Sequence, residues 1–175
     1  MNLENSQLPG FLIADLYKNS LVIVNEGFTT KKSMPVKAMP TTERAWYLGS
    51  NLQKITLIIS EREAVYLQDE ALAFLSTILG ACKLNLGDVA IVNYYNDPVS
   101  YAFLKEKLTP NFVLLFGVTA KQIQIPFTMP NYQVQQHDNC SFLLAPSLDS
   151  MLGSTQEAKL EKSKLWLSLK KMFTI

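Results

Sequence analysis

The chain is poor in the residues that most enzymes devote to chemistry. Its 175 residues include one histidine, His137, two cysteines, Cys82 and Cys140, and seven glycines. The cysteines are far apart and in no paired-ligand spacing, which argues against a zinc or iron–sulfur centre and leaves both as buried thiols. A Ser–His or Cys–His pair would need His137 beside Ser147, Cys140 or Cys82. No partner motif accompanies it, so it reads as an exposed loop residue between Gln136 and Asp138. Neither Gly-x-Gly-x-x-Gly nor Gly-Lys-Ser/Thr occurs, so nucleotide-dependent chemistry has no phosphate cradle, and no cofactor or metal is expected. Excess charge is also missing. Sixteen Lys and Arg against fifteen Asp and Glu leave +1, so no global field draws in phosphate backbones or anionic membranes, and any nucleic-acid contact must be weak or local. The longest apolar runs, such as Phe112 to Phe116, are too short to span a bilayer. Met1 to Tyr17 carries acidic residues and lacks the basic-then-apolar order of a signal peptide, which leads us to expect a cytoplasmic protein.

What is present points to a packed core. Hydrophobic residues make up 48% and charged residues 18%, values of a globular chain, and the length suits a single domain over 1–175. The character changes near residue 50. Residues 1–50 form an irregular extension, packing on or projecting from the core, with a short helix over Pro9 to Leu16, an extended stretch over Ser20 to Val24 and a polar segment carrying Lys31, Lys32, Pro35, Lys37 and Pro40. From 51 to 175 strands and helices alternate. Ile55-Thr56-Leu57-Ile58-Ile59 is a β-branched run suited to a strand covered on both faces. Ala71, Leu75, Ile78 and Cys82 recur at helical spacing behind Asp69, whose carboxylate can cap the first turn. Asp88 to Asn93 is a second strand, Tyr101 to Leu108 a helix stopped before Pro110, and Phe112 to Phe116 a third strand. Gly117 turns the chain into a brief helix near Thr119, and Ser141 to Leu144 is a fourth strand. The last helix, about Glu157 to Phe173, presents Leu165, Trp166, Leu169, Met172 and Phe173 as an apolar stripe. The expected fold is a three-layer α/β/α sandwich around a short, mainly parallel four-stranded sheet.

In such sheets ligands bind beyond the carboxyl ends of the strands, which directs attention to Ser60–Glu63, Asn93–Asn96, Gly117–Thr119 and Ala145–Asp149. The candidate crevice comprises Ser60, Glu61, Asn93, Tyr94, Gly117, Thr119, Ala145 and Ser147. Glu61 is either a catalytic carboxylate or a solvated strand-end charge. Asn93 and Ser147 either contact a ligand or satisfy backbone at a strand end and a turn.

Three segments, in order, resemble the uracil-DNA glycosylase superfamily. They are Leu75 to Leu84 with Asp88-Val89-Ala90-Ile91-Val92-Asn93, then Phe112 to Phe116 with Gly117-Val118-Thr119-Ala120, then Leu144-Ala145-Pro146-Ser147-Leu148 through Lys164 to Leu169. The resemblance covers about residues 54 to 173 and implies that superfamily's fold, with Glu61, Asn93 and Ser147 at positions that in relatives serve catalysis or contact base and phosphate. The departures bear on activity. Only Ser60 to Gln68 joins the first strand to its helix, without the Gly-Glu-x-Pro-Gly sequence that positions the attacking water and the flipped base. The loop that in active enzymes reads His-Pro-Ser reads Ala145-Pro146-Ser147, and alanine cannot steady the departing base. The short loop, the missing histidine and the closing Leu-Trp-x-x-Leu helix resemble a catalytically silent branch of the superfamily, typified by the psi subunit of the bacterial DNA polymerase III clamp loader. That resemblance implies a non-catalytic scaffold with a protein partner in DNA replication or repair, for which residues 1–50 are one candidate contact. An active or vestigial glycosylase using Glu61, Asn93 and Ser147, and a small-molecule-binding domain using the crevice, are the alternatives.

Overall fold

A computed structural model describes residues 45–175, so the helix, extended stretch and polar segment expected before residue 45 lie outside the described residues. The expected α/β class holds, but the sheet has six strands among the described residues rather than four. In chain order the elements are β1 (Leu48–Gly49), β2 (Ile55–Ile59), α1 (Asp69–Ala81), β3 (Val89–Asn93), α2 (Tyr101–Leu108), β4 (Phe112–Phe116), β5 (Val134–His137), β6 (Cys140–Ala145), a 3-10 turn (Leu148–Met151) and α3 (Gln156–Phe173). The spatial order is β1-β3-β2-β4-β6-β5. β3, β2, β4 and β6 are mutually parallel and are the four strands expected from the apolar runs, with Ile55 opposite both Val89 and Phe112. The two additional strands are antiparallel edges, β1 against β3 and β5 against β6.

The parallel strands are mostly apolar because both their faces are covered, with Thr56 and Asn93 as buried polar exceptions. Every residue of β2 and β3 is buried. Ile55, Leu57 and Ile59 face one core with Leu75 and Leu79 of α1 and Leu165, Leu169 and Met172 of α3. Ile58, Ala90 and Val92 face a second core with Tyr101, Leu104 and Leu108 of α2 and with Val118 and Ile123 from the segment after β4. The period-2 alternation of the strands thus feeds two separate cores, giving the three layers.

Local chemistry explains where elements begin and end. The Ser100 side chain accepts from the Phe103 amide, and the Thr155 side chain from the Ala158 amide, so α2 and α3 are capped by hydroxyls. α1 differs from expectation. Gln68 holds its N-cap position without a side-chain cap bond, and Asp69 is the first helical residue, placed to favour the helix dipole rather than to cap. Asp88 stands outside β3, where its carboxylate accepts from the Asn85 amide and closes the turn into the strand. The helix expected near Thr119 is a run of turns: Gln122 Oε1 accepts from both the amide and the hydroxyl of Thr119, and Gln124 takes a φ of 61° that no helix continues through.

Candidate functional site

The chain order reverses across β2: from β2 it moves outward to β3, then returns past β2 to β4. The carboxyl ends of β2 and β4 therefore flank the switch point at which an open α/β sheet normally receives its ligand. Here the space is closed. Ile59, Ser60, Glu61, Leu67, Phe116, Ser147, Leu148 and Asp149 enclose only about 10 Å³, the room of a single water, whereas ligand pockets measure roughly 300–1,000 Å³. Leu148 is 4% exposed and Phe116 2%, so the plug is part of the core.

Of the residues expected at this crevice, Ser60, Glu61 and Ser147 line it. Gly117 abuts it: its φ is +67°, and a β-carbon there would come within 3.1 Å of Ser147 Cβ, so glycine is required both by the turn and by the approach of the Ala145–Ser147 loop. Ala145 is 2% exposed and buried in the first core. Tyr94 and Thr119 are elsewhere. The Tyr94 amide donates to the Ile59 carbonyl while its hydroxyl turns to the Gln122 carbonyl at 3.0 Å, and Thr119 is occupied by Gln122.

Asn93 is fully buried, and its amide is consumed by backbone. Its Oδ1 accepts from the amides of Glu61 (3.0 Å) and Tyr95 (3.2 Å); its Nδ2 donates to the carbonyls of Glu61 (2.8 Å), Ala64 (3.1 Å) and Val65 (3.2 Å). Asn96 adds bonds to the same two carbonyls, of Ala64 and Val65. The loop after β2 is folded around Asn93, and no lone pair or proton of that side chain is left to read a base. Glu61 spends Oε1 on the Glu63 amide. Outside the plug lies an open polar hollow of about 390 Å³ lined by Ser60, Glu61, Arg62, Glu63, Gln68 and Asp149, without an apolar or aromatic wall for a base and with three carboxylates against one guanidinium, a mouth that repels a phosphate backbone.

His137 is far from this point. It ends β5, pairs with Cys140 at the opposite end of β6, and packs edge-on against Phe127 with centroids 5.1 Å apart. Cys140 to Ala145 is roughly 16 Å of strand at about 3.3 Å per residue, so the imidazole cannot face Glu61. Cys140 is 1% exposed, and burial pushes its thiol up to about 12; burial also raises Cys82. Neither supplies a thiolate nucleophile. Among the described residues no group of three or more His, Cys, Asp and Glu side chains could hold a metal ion, and no helix is long and apolar enough to cross a membrane.

Two surface features had no sequence signal strong enough to single them out. A hollow of about 680 Å³ lies beside the start of α2, with Trp46, Tyr94 and Phe103 as aromatic walls and Asn96, Gln122 and Gln124 as polar groups. It is assembled from three separate stretches of chain, which no linear spacing reveals. A second, smaller groove lies between α1 and α3 and is lined by apolar side chains and Lys162. Compared with models of protein families and with curated proteins, the sequence matches none.

Proposed function

We propose that this protein is a non-catalytic interaction scaffold with a uracil-DNA glycosylase-like fold, serving DNA replication or repair in the manner of the psi-subunit branch. The observation that carries this reading is the plugged switch point: the place where a glycosylase would hold a flipped base is occupied by Leu67, Phe116 and Leu148, leaving about 10 Å³. Base excision also needs a positioned water and a donor to the departing base. Asn93 is spent on backbone, Ala145 offers no donor, His137 is at the other end of β6, and the mouth is acidic. What is lost is the reaction space, while the four parallel strands and their two cores are kept, as expected where a fold is retained to present surfaces.

The test has two arms. Full-length protein incubated in excess over uracil-containing single-stranded DNA is expected to release no base; release abolished by Glu61→Gln would overturn the proposal in favour of a working glycosylase. Affinity capture with crosslinking from the native lysate is expected to recover proteins of the replication or repair machinery, and recovery of none would count equally against it. A small-molecule-binding role is favoured by one observation, the aromatic and amide-lined hollow of about 680 Å³ beside α2. A metabolite screen in which a compound raises the melting temperature of the wild type, but not of Tyr94→Ala, would support that second reading.

A further inference from the structure

α1 and α3 both turn their inner faces to the sheet, and between their outer shoulders runs a groove of about 200 Å³ lined by Phe74, Thr77, Ile78, Ala81, Trp166 and Lys162. That volume is below the usual range of small-molecule sites and suits one or two inserted side chains. Trp166, on the groove wall, is 36% exposed. Leu160 and Leu167, 55% and 66% exposed, share a separate stripe of α3, two turns apart and roughly 100–120° round the helix from Trp166. Scattered exposed leucines need no explanation, but a part-exposed tryptophan walling an unfilled apolar slot marks a surface for another molecule.

The helix that forms one wall carries net positive charge. α3 carries Lys159, Lys162, Lys164, Lys170 and Lys171 against Glu157 and Glu161, and no carboxylate lines the groove. Glu161 is already engaged by Lys164 and the Tyr132 hydroxyl. Two of the ammonium groups are held at the rim by aromatic faces: Lys162 Nζ lies 5.3 Å from the Phe74 ring centre and Lys170 Nζ 6.0 Å from that of Trp166. Lys162 is further fixed by donating to the Gly153 carbonyl at 2.9 Å. Preplaced cations flanking an apolar slot complement a segment that alternates carboxylates with large apolar side chains.

We propose that the α1–α3 groove docks an acidic amphipathic segment of a partner protein, whose leucine or aromatic side chains enter between Phe74 and Trp166 and whose carboxylates meet the lysines of α3. This rests on the scaffold reading and gives it a face and a partner chemistry.

The probe is a fluorescein-labelled helical peptide with leucines at i, i+3, i+4 and i+7 among Glu and Asp, and the control is the same peptide with Gln and Asn for every acid. Anisotropy with the full chain is expected to show saturable binding of the acidic peptide, weakening with salt. In a Trp46→Phe background, the Trp166 emission should shift on binding. Paired Lys162→Glu and Lys170→Glu substitutions, with the fold checked by circular dichroism, are expected to weaken binding by about tenfold or more, and Leu167→Ser to weaken it less. The proposal is overturned if the control binds as tightly as the acidic peptide, or if the paired substitutions change nothing. It is equally overturned if phosphatidylserine vesicles bind the chain through Leu167 while the peptide does not, or if Leu167→Glu merely dissolves a concentration-dependent dimer. Capture of replication or repair proteins that survives the paired substitutions would sink the groove and leave the scaffold reading standing; failure of capture with the wild type, alongside intact peptide binding, would do the reverse.

Discussion

The switch-point crevice and the α1–α3 groove are built from the same kind of side chain and differ in everything else. At the crevice, Leu67, Phe116 and Leu148 line a space of about 10 Å³, and the adjoining loop is stitched to Asn93 by four hydrogen bonds, with a fifth to the Tyr95 amide. At the groove, Phe74 and Trp166 stay apart and the cations at the rim are held by ring faces rather than carboxylates, while Leu160 and Leu167 face water elsewhere on α3. In folds of this type the expected ligand position is the former. In this chain it has become core, and the unmet apolar surface is on the outer helices, where a neighbouring molecule rather than a substrate would fit.

The comparison can be broken most severely at Asn93. Asn93→Ala strands the amides of Glu61 and Tyr95 and the carbonyl of Glu61, which Asn96 does not reach, and leaves a void where a fully buried side chain stood; we expect a loss of about 3 kcal/mol by denaturant titration, with hydrogen exchange accelerating over 60–66. Gly117→Ala, which forces a side chain into a left-handed turn against Ser147, should cost about 1–2 kcal/mol and loosen the plug without touching the groove. A change of opposite sign lies beneath the crevice: the hydroxyl of Thr56 in β2 is buried with no hydrogen-bond partner, so Thr56→Val should raise stability by about 1 kcal/mol, read as a higher melting temperature. On the groove side, Leu167→Ser should move stability by less than about 0.5 kcal/mol, because a residue already two-thirds exposed loses little burial. The last effect is a pH dependence. Hydrogen bonds from Lys164 and then Tyr132 hold the Glu161 carboxyl below its ordinary value, so its contribution is present above the unfolded carboxyl range and is lost as pH falls through the lower folded value. Thermal melts of Glu161→Gln should accordingly show a shallower decline on acidification than the wild type.

The sequence made the four parallel strands and three helices of the described region legible because each is a run or a period dense enough to survive without context. β2, β4 and α2 fall at the expected residues, and α3 begins one residue earlier. The edge strands were not legible. Leu48–Gly49 is too short to carry a pattern, and Val134-Gln-Gln-His137 has a single apolar side chain, Val134, packed against the first core, too little to show an alternation. At the site, the strand-end positions of Ser60, Glu61 and Ser147 followed from topology, and the backbone role of Asn93 was one of two readings open to a strand-end amide. The plug was invisible because Leu67 and Leu148 come from different loops, and nothing in either loop announces that they meet. Tyr94 was misplaced although the alternation points to its position: Ala90 and Val92 face the second core, and the period-2 rule carries Tyr94 to that same face, where it packs and reaches Gln122.

The two sheet borders have a consequence for how the protein can safely be sticky. Unpaired backbone at a sheet margin is a template on which other chains can add strand by strand. Among the described residues one margin offers only two residues, twisted by Gly49 at a φ of +105°, and the other offers glutamines and a histidine ending in a tight Asp138–Asn139 corner with positive φ at both residues. Neither invites fibrous growth, so leucines left bare on α3 can be tolerated on the surface without seeding runaway polymerisation.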